Sequence, residues 1–424
     1  MKKSKTYGII LCILVFLLVS GCGGDLLSTA GTGTSSTGGE TGGTTGTTGG
    51  SSGGSGTGDT GGSGSSGGGS TTPSWKDVGS PGFSTGEVEY VSFAGDPNGN
   101  LYVAYTDKTS TRALVQIFDG TSWRNMGSGY VSDEGTEMVS LTIDTYTTPI
   151  PLIAYKVNNH PNRYIRVKKF ENSTWQQVGA DITDVPASQG SPLQLSMWLS
   201  TPYIAYPSTN SSQAGIVKKF SLTGGWEDLG TNFSDSSPAN YMSFLLYGST
   251  PYVAYERNQG GYIKKWSGSS WDLLNPPDTT FNTYHLRLDA IALTVGIYGP
   301  VVIYREQYDN VLRICVNRLY VGESTYWIDL GNIGICSDDV PKGIVSIAIT
   351  SDDTLYAAFR DSENGNKVTV KKRTYSGAQW ETVGGGPASA SAAEYINLIV
   401  LNNVPYIAYK DYANGGKITV RKYE

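Results

Sequence analysis

An all-β fold, a ring of seven four-stranded antiparallel blades, is what the sequence predicts. Three observations carry that expectation: a Trp-marked turn recurs seven times, each unit holds a short strand that is apolar almost throughout, and no helical period separates the markers. Composition agrees, because 55 glycines in 424 residues supply turns while 28 tyrosines and an apolar share of 38% supply strands.

The markers are Trp75, Trp123, Trp175, Trp226, Trp271, Trp327 and Trp380, six of them followed four residues later by Gly and Trp271 by Asn275. Their spacings of 48, 52, 51, 45, 56 and 53 residues suit four strands and their turns. Ahead of each later marker lie three further strands, exemplified by residues 88–94, 101–106 and 113–118. The second of these is the most regular, recurring as LIAY up to Tyr155, YIAY to Tyr206, YVAY to Tyr255, VVIY to Tyr304, YAAF to Phe359 and YIAY to Tyr409. Such a run suits a strand covered on both faces, with the central Ala permitting close sheet packing. The third strand carries paired bases such as Lys168-Lys169 and Lys218-Lys219, whose stems pack while their charges reach water. The last unit stops after its third strand, at Glu424, whereas Trp75 precedes the first complete unit. The strand at Trp75 is therefore expected to complete the last blade and close the ring.

In this arrangement residues 75–424 resemble a seven-bladed β-propeller. The pairs that mark WD and kelch repeats are missing, so no subfamily is identified. A propeller hosts enzymes and binders alike, and function has to be argued from the site.

The chain ahead of Trp75 is of another kind. Residues 1–21 join Lys2, Lys3 and Lys5 to an apolar run over 7–19 that is too short to span a bilayer comfortably, the pattern of a signal peptide. The run ends in Val19-Ser20-Gly21-Cys22, which resembles the lipobox of bacterial lipoproteins. That resemblance implies cleavage before Cys22 and attachment of fatty acyl chains such as palmitate to its sulfur. It further implies a lipid-anchored protein of the bacterial cell envelope. With Gly23 in place of a retaining Asp, the outer membrane or cell surface is its expected address. Over 22–74 the lipidated Cys leads into a disordered linker, for 43 of the 47 residues from 28 to 74 are Gly, Ser or Thr. No core forms from that composition, and a flexible coil of this length spans roughly 35–40 Å.

Charge and residue types exclude several functions. Losing a leader with three lysines and no acid takes the net charge from −6 to −9, which disfavours nucleic acid as a partner. Only His160 and His285 are present, so a multi-His metal centre is excluded, and neither lies near a nucleophile signature. No cofactor, metal site or catalytic residue is assigned. Asp96-Pro97-Asn98-Gly99-Asn100 resembles part of a calcium loop but lacks the downstream Glu, and is read as a tight turn.

The long fourth-to-first connections share one face of the ring with the second-to-third loops, and binding residues are expected there. Candidate ligand-binding residues on that face are Asp107, Glu306, Asp361 and Asp411, each just beyond a second strand, where Asp also serves as a turn former. Aligned first strands place Ser92, Ser140, Ser196, Ser243, Arg287, Ser346 and Asn397 toward the axis, with Arg287 a further candidate. Cys315 and Cys336, left over in an exported domain, are expected to form a disulfide. The functional expectation is a surface-exposed, lipid-anchored, non-catalytic binding protein whose loop face recognises a glycan or protein partner. Two alternatives stand beside it: a secreted carbohydrate-active hydrolase or lyase using loop-face carboxylates, and a structural envelope scaffold.

Overall fold

The computed structural model describes residues 72–158, 163–186, 192–282, 287–337 and 343–424. The leader, Cys22, nearly all of the linker and both histidines lie outside the described residues. Among the described residues the strands form seven separate sheets of four antiparallel strands each. Blade 1 runs through Val88–Gly95, Leu101–Asp107, Ala113–Phe118 and Trp123–Asn125, and blades 2 to 6 repeat that order. Blade 7 takes Ala393–Leu401, Val404–Asp411 and Lys417–Tyr423 from the last part of the chain and Trp75–Asp77 from ahead of blade 1, Trp75 pairing with Tyr423. The ring closes as the repeat count requires.

The second strands are the most deeply covered; every residue of Leu101–Asp107 is buried. At their centres Ala104, Ala154, Ala205, Ala254, Ala358 and Ala408 are fully buried, which lets neighbouring sheets approach closely. Blade 5 alone places Ile303 there.

The Trp marker is a clamp between blades. The indole N–H of Trp123 donates to the Val78 carbonyl at 2.8 Å, and Trp75, Trp175, Trp226, Trp271 and Trp380 each reach the same position in the preceding blade at 2.8 to 3.2 Å. That carbonyl belongs to the residue three after the preceding marker. The glycine after it turns at positive φ, +71° at Gly179, where a Cβ would lie 2.7 Å from the Phe220 ring and 2.9 Å from Trp226. The Trp-x-x-apolar-Gly signature is thus one half of a joint whose other half is the next blade's Trp. Blade 4 has Asn275 instead of Gly, its amide bonded to Ile263 and Gly261, and the indole nitrogen of Trp327 in blade 5 has no hydrogen-bond partner among the described residues.

The expected disulfide is not formed. Cys336 donates its backbone N–H to Leu312, three residues along the strand from Cys315, a rise of about 10 Å and beyond disulfide reach. The side chains also leave blade 5 on opposite faces: Cys315 packs with Ala254, Ile263 and Phe281, Cys336 with Ile314, Ile333 and Phe359. Both remain thiols, and burial, reinforced by Glu306, pushes the Cys315 thiol upward and keeps it protonated.

Candidate functional site

The first strands line the axis, and among the described residues four of them carry the same irregularity. In blades 1, 2, 5 and 7 one extra residue is inserted between the acid at Glu89, Glu137, Asp289 or Glu394 and the polar or small residue at Ser92, Ser140, Ala292 or Asn397. The bulge puts Tyr90, Met138, Ala290 and Tyr395 at positive φ between 51° and 61°, a conformation that non-glycine residues take seldom and often beside a site. These four residues, with Tyr241 and Met242 of blade 4, wall a funnel of about 540 Å³ that opens on the loop face. Tyr90 and Tyr395 face each other with ring centroids 5.7 Å apart.

Below them a belt of side chains joins each blade to the next. Ser92 accepts from the Leu141 N–H at 3.0 Å, Ser140 from Leu195 at 2.9 Å, Ser243 from Leu293 at 3.0 Å and Ser346 from Leu398 at 3.0 Å. Gln194 accepts from Phe244, and Asn397 donates to Val91 across the closing seam at 3.0 Å. In blade 5 the belt position is Ala292, opposite Ile303, so an apolar pair replaces the hydrogen bond at the seam with blade 6. Two expected axial positions are corrected. Ser196 pairs with Tyr203, two residues past the belt position held by Gln194, and Arg287 sits before the blade 5 bulge, so Ala292 occupies its place.

Among the described residues the funnel lining contains no Asp, Glu, Lys, Arg or His. Three of the four bulge acids are held back from it. Glu137 meets Lys156 at 3.0 Å, both almost fully buried, Asp289 meets Arg305 at 2.6 Å, and Glu394 meets Lys410 at 3.8 Å, each base being the directly opposite residue on the second strand. Buried charges held as opposed pairs are positioned, not available. Burial raises the Tyr241 and Tyr395 phenols, with Asp289 and Glu89 as the next contributions, so both stay protonated donors.

The acids expected to bind ligand are used otherwise. Asp107 accepts from the Ser110 N–H at 2.7 Å and its hydroxyl at 2.8 Å. Asp361 caps the 3-10 turn Ser362–Asn364 and also holds Asn364 and Thr369 at 2.8 and 2.7 Å; Asp411 does the same with Ala413, Asn414 and Thr419. Glu306 is 1% exposed and lies opposite Leu288 and Arg313. These four are buried in blades 1, 5, 6 and 7, not gathered at one point. Asp96 likewise ties a tight turn, accepting from Asn98, Asn100 and Tyr102. Arg287 is the exception in exposure. It lines a shallow hollow beside the funnel with Tyr241, Glu256, Gln259, Leu288 and Gln307, its Nε 3.2 Å from the Asp289 carboxylate that Arg305 also grips. Among the described residues no group of three or more His, Cys, Asp or Glu comes together as metal ligands.

Fold and site together define a seven-bladed propeller with a neutral, tyrosine-walled axial funnel. No protein-family model matches the chain, and no curated protein sequence matches it. Solved structures similar to it include an alpha-L-arabinanase of Penicillium chrysogenum complexed with arabinobiose, 12% identical, covering 83% of this chain and 97% of its own at a TM-score of 0.46. Another is the Aleuria aurantia lectin, a six-bladed propeller that recognises fucose, 14% identical over 73% of this chain and 99% of its own, TM-score 0.47. A third is a Dyadobacter fermentans protein of unknown function, 12% identical over 83% and 100%, TM-score 0.47. Likeness at this level carries nothing about what this chain binds.

Proposed function

We propose that this protein is a non-catalytic binding protein of the bacterial cell envelope, lipid-anchored through Cys22, whose axial funnel takes a neutral saccharide. The lining carries the reading. Tyrosine faces offer flat apolar surface for a sugar ring, while the amides of Gln194, Gln213, Asn240 and Asn397 and the hydroxyls of Ser92, Ser140 and Ser346 offer donors and acceptors for its hydroxyls. A neutral lining favours a neutral ligand, since any charge brought into it would be desolvated without a partner. Glycoside hydrolysis by the usual route needs two carboxyl groups about 5 to 9.5 Å apart across the bond. The described lining supplies none.

A glycan array probed with residues 72–424, with and without calcium, tests the reading. Specific retention of neutral glycans, with no release of reducing ends from the retained sugar, is expected. Retention of acidic glycans alone would overturn the neutral-saccharide reading, and an empty array would move the funnel to a protein partner. Turnover that disappears in Glu89→Gln or Glu394→Gln would establish the enzyme alternative. For the anchor, Cys22→Ser is expected to abolish fatty-acid incorporation, and continued incorporation would overturn the address.

A further inference from the structure

Opposite the loop face, the ring ends in the short hairpins that join first to second and third to fourth strands. Among the described residues ten of the thirteen large hydrophobic side chains left exposed lie on this face. The innermost hairpin tips of four consecutive blades carry Tyr146 (63% exposed), Trp198 and Leu199 (53%), Tyr247, and Ile297 (65%) with Tyr298. The equivalent tips of blades 1 and 7 are polar, Asp96-Pro97-Asn98-Gly99-Asn100 and Asn402-Asn403. The apolar groups therefore form an arc over blades 2 to 5 instead of being scattered singly, which marks an interaction surface.

We infer that this arc docks on a lipid bilayer surface. Trp and Tyr mixed with bare aliphatic tips suit the headgroup boundary, where rings sit with one apolar and one polar edge. Leu199 and Ile297 offer a sugar no hydrogen bond. Lys219 and Lys265 lie one or two residues before the ends of third strands on the same face and supply cations for anionic headgroups. The chain also enters the propeller here: Ser74 bonds to Glu424 at the hairpin end of blade 7, and the 71 residues outside the described chain before Thr72 include the apolar run 7–19 and Cys22. With this face on the bilayer, the funnel opens away from it.

The inference stands apart from acylation, so the test omits the anchor. Residues 72–424 form a closed ring with every blade complete, within one compact unit, and serve as the soluble protein. They are sedimented with vesicles of phosphatidylcholine alone and of phosphatidylcholine with 30% phosphatidylglycerol. Binding to the mixed vesicles is expected, with Trp fluorescence quenched by brominated acyl chains. Trp198→Ser combined with Leu199→Ser and Ile297→Ser is expected to weaken partition by about tenfold or more, whereas Tyr130→Ser on the loop face leaves it unchanged. Unchanged thermal unfolding certifies each variant, and Tyr247→Asp provides a second, independent loss. Absence of binding to either vesicle, or equal binding by the triple variant, overturns the inference. So does a dimer in sedimentation velocity that the triple variant dissolves, which would assign the arc to a second copy of this chain.

Discussion

At Ala292 one missing hydroxyl interrupts the belt around the axis. Six blades place a hydrogen-bonding side chain at this position, five of them accepting from the next blade's backbone and Asn397 donating to it, while blade 5 pairs Ala292 with Ile303. Ala292→Ser is expected to restore the bond toward Ile347 and raise stability by roughly 0.5–1.5 kcal/mol, read as a higher midpoint in denaturant. A lower midpoint would mean that Ile303 already fills the space. Gly179 is the converse case. Gly179→Ala forces a side chain into positive φ and into the Trp226 ring, and a loss of about 2 kcal/mol is expected; a neutral outcome would contradict the proposed joint between marker and glycine.

Among the elements, the closing strand has the most to lose. Trp75 bonds to Val383, packs against Tyr423 at 5.5 Å between ring centroids, and its carbonyl accepts from Arg421. Trp75→Ala is expected to cost about 2–3 kcal/mol and to free blade 7 first, seen as early hydrogen exchange over Lys417–Tyr423. Uniform exchange around the ring would contradict that. The neighbouring seam, between blades 7 and 1, carries a pH dependence. Hydrogen bonds from Lys108 and then Lys410 hold the Glu87 carboxyl below its ordinary 4.5, so its contribution is complete above that value and lost as pH falls below it. Glu87→Gln should remove that part of the acid sensitivity, and an unchanged acid limb would assign it elsewhere.

Elements were far more legible than the site. Seven tryptophans and seven apolar second strands counted the blades correctly because their period survives loop variation, and the stray strand at Trp75 gave away the closure. Axial residues were legible where blades align simply, as at Ser92, Ser140, Ser243, Ser346 and Asn397. Ser196 and Arg287 misled because first strands start at different points, and only counting back from the second strand's central Ala or Ile finds Gln194 and Ala292. The funnel's tyrosines were hidden by the bulge. Their trace is the recurring acid-x-apolar-polar tetrad Glu89–Ser92, Glu137–Ser140 and Glu394–Asn397, with Asp289–Ala292 as its apolar variant. Asp361 and Asp411 stand in the sequence as candidate binders just beyond second strands, yet the turn they cap consumes them.

For the whole molecule, the two faces divide the work. One presents a neutral funnel with Glu137, Asp289 and Glu394 paired to bases behind its wall; the other presents an apolar arc and the point where the chain enters. The expected molecule is a binder that a tether carries and a face orients. Whether the axial funnel holds the ligand is decided by titration calorimetry of the glycan selected on the array against residues 72–424 and the Tyr395→Ala and Tyr90→Ala variants. Either variant is expected to weaken binding by about tenfold or more, roughly 1.4 kcal/mol, with the unfolding midpoint nearly unchanged. Wild-type affinity in both variants would contradict it.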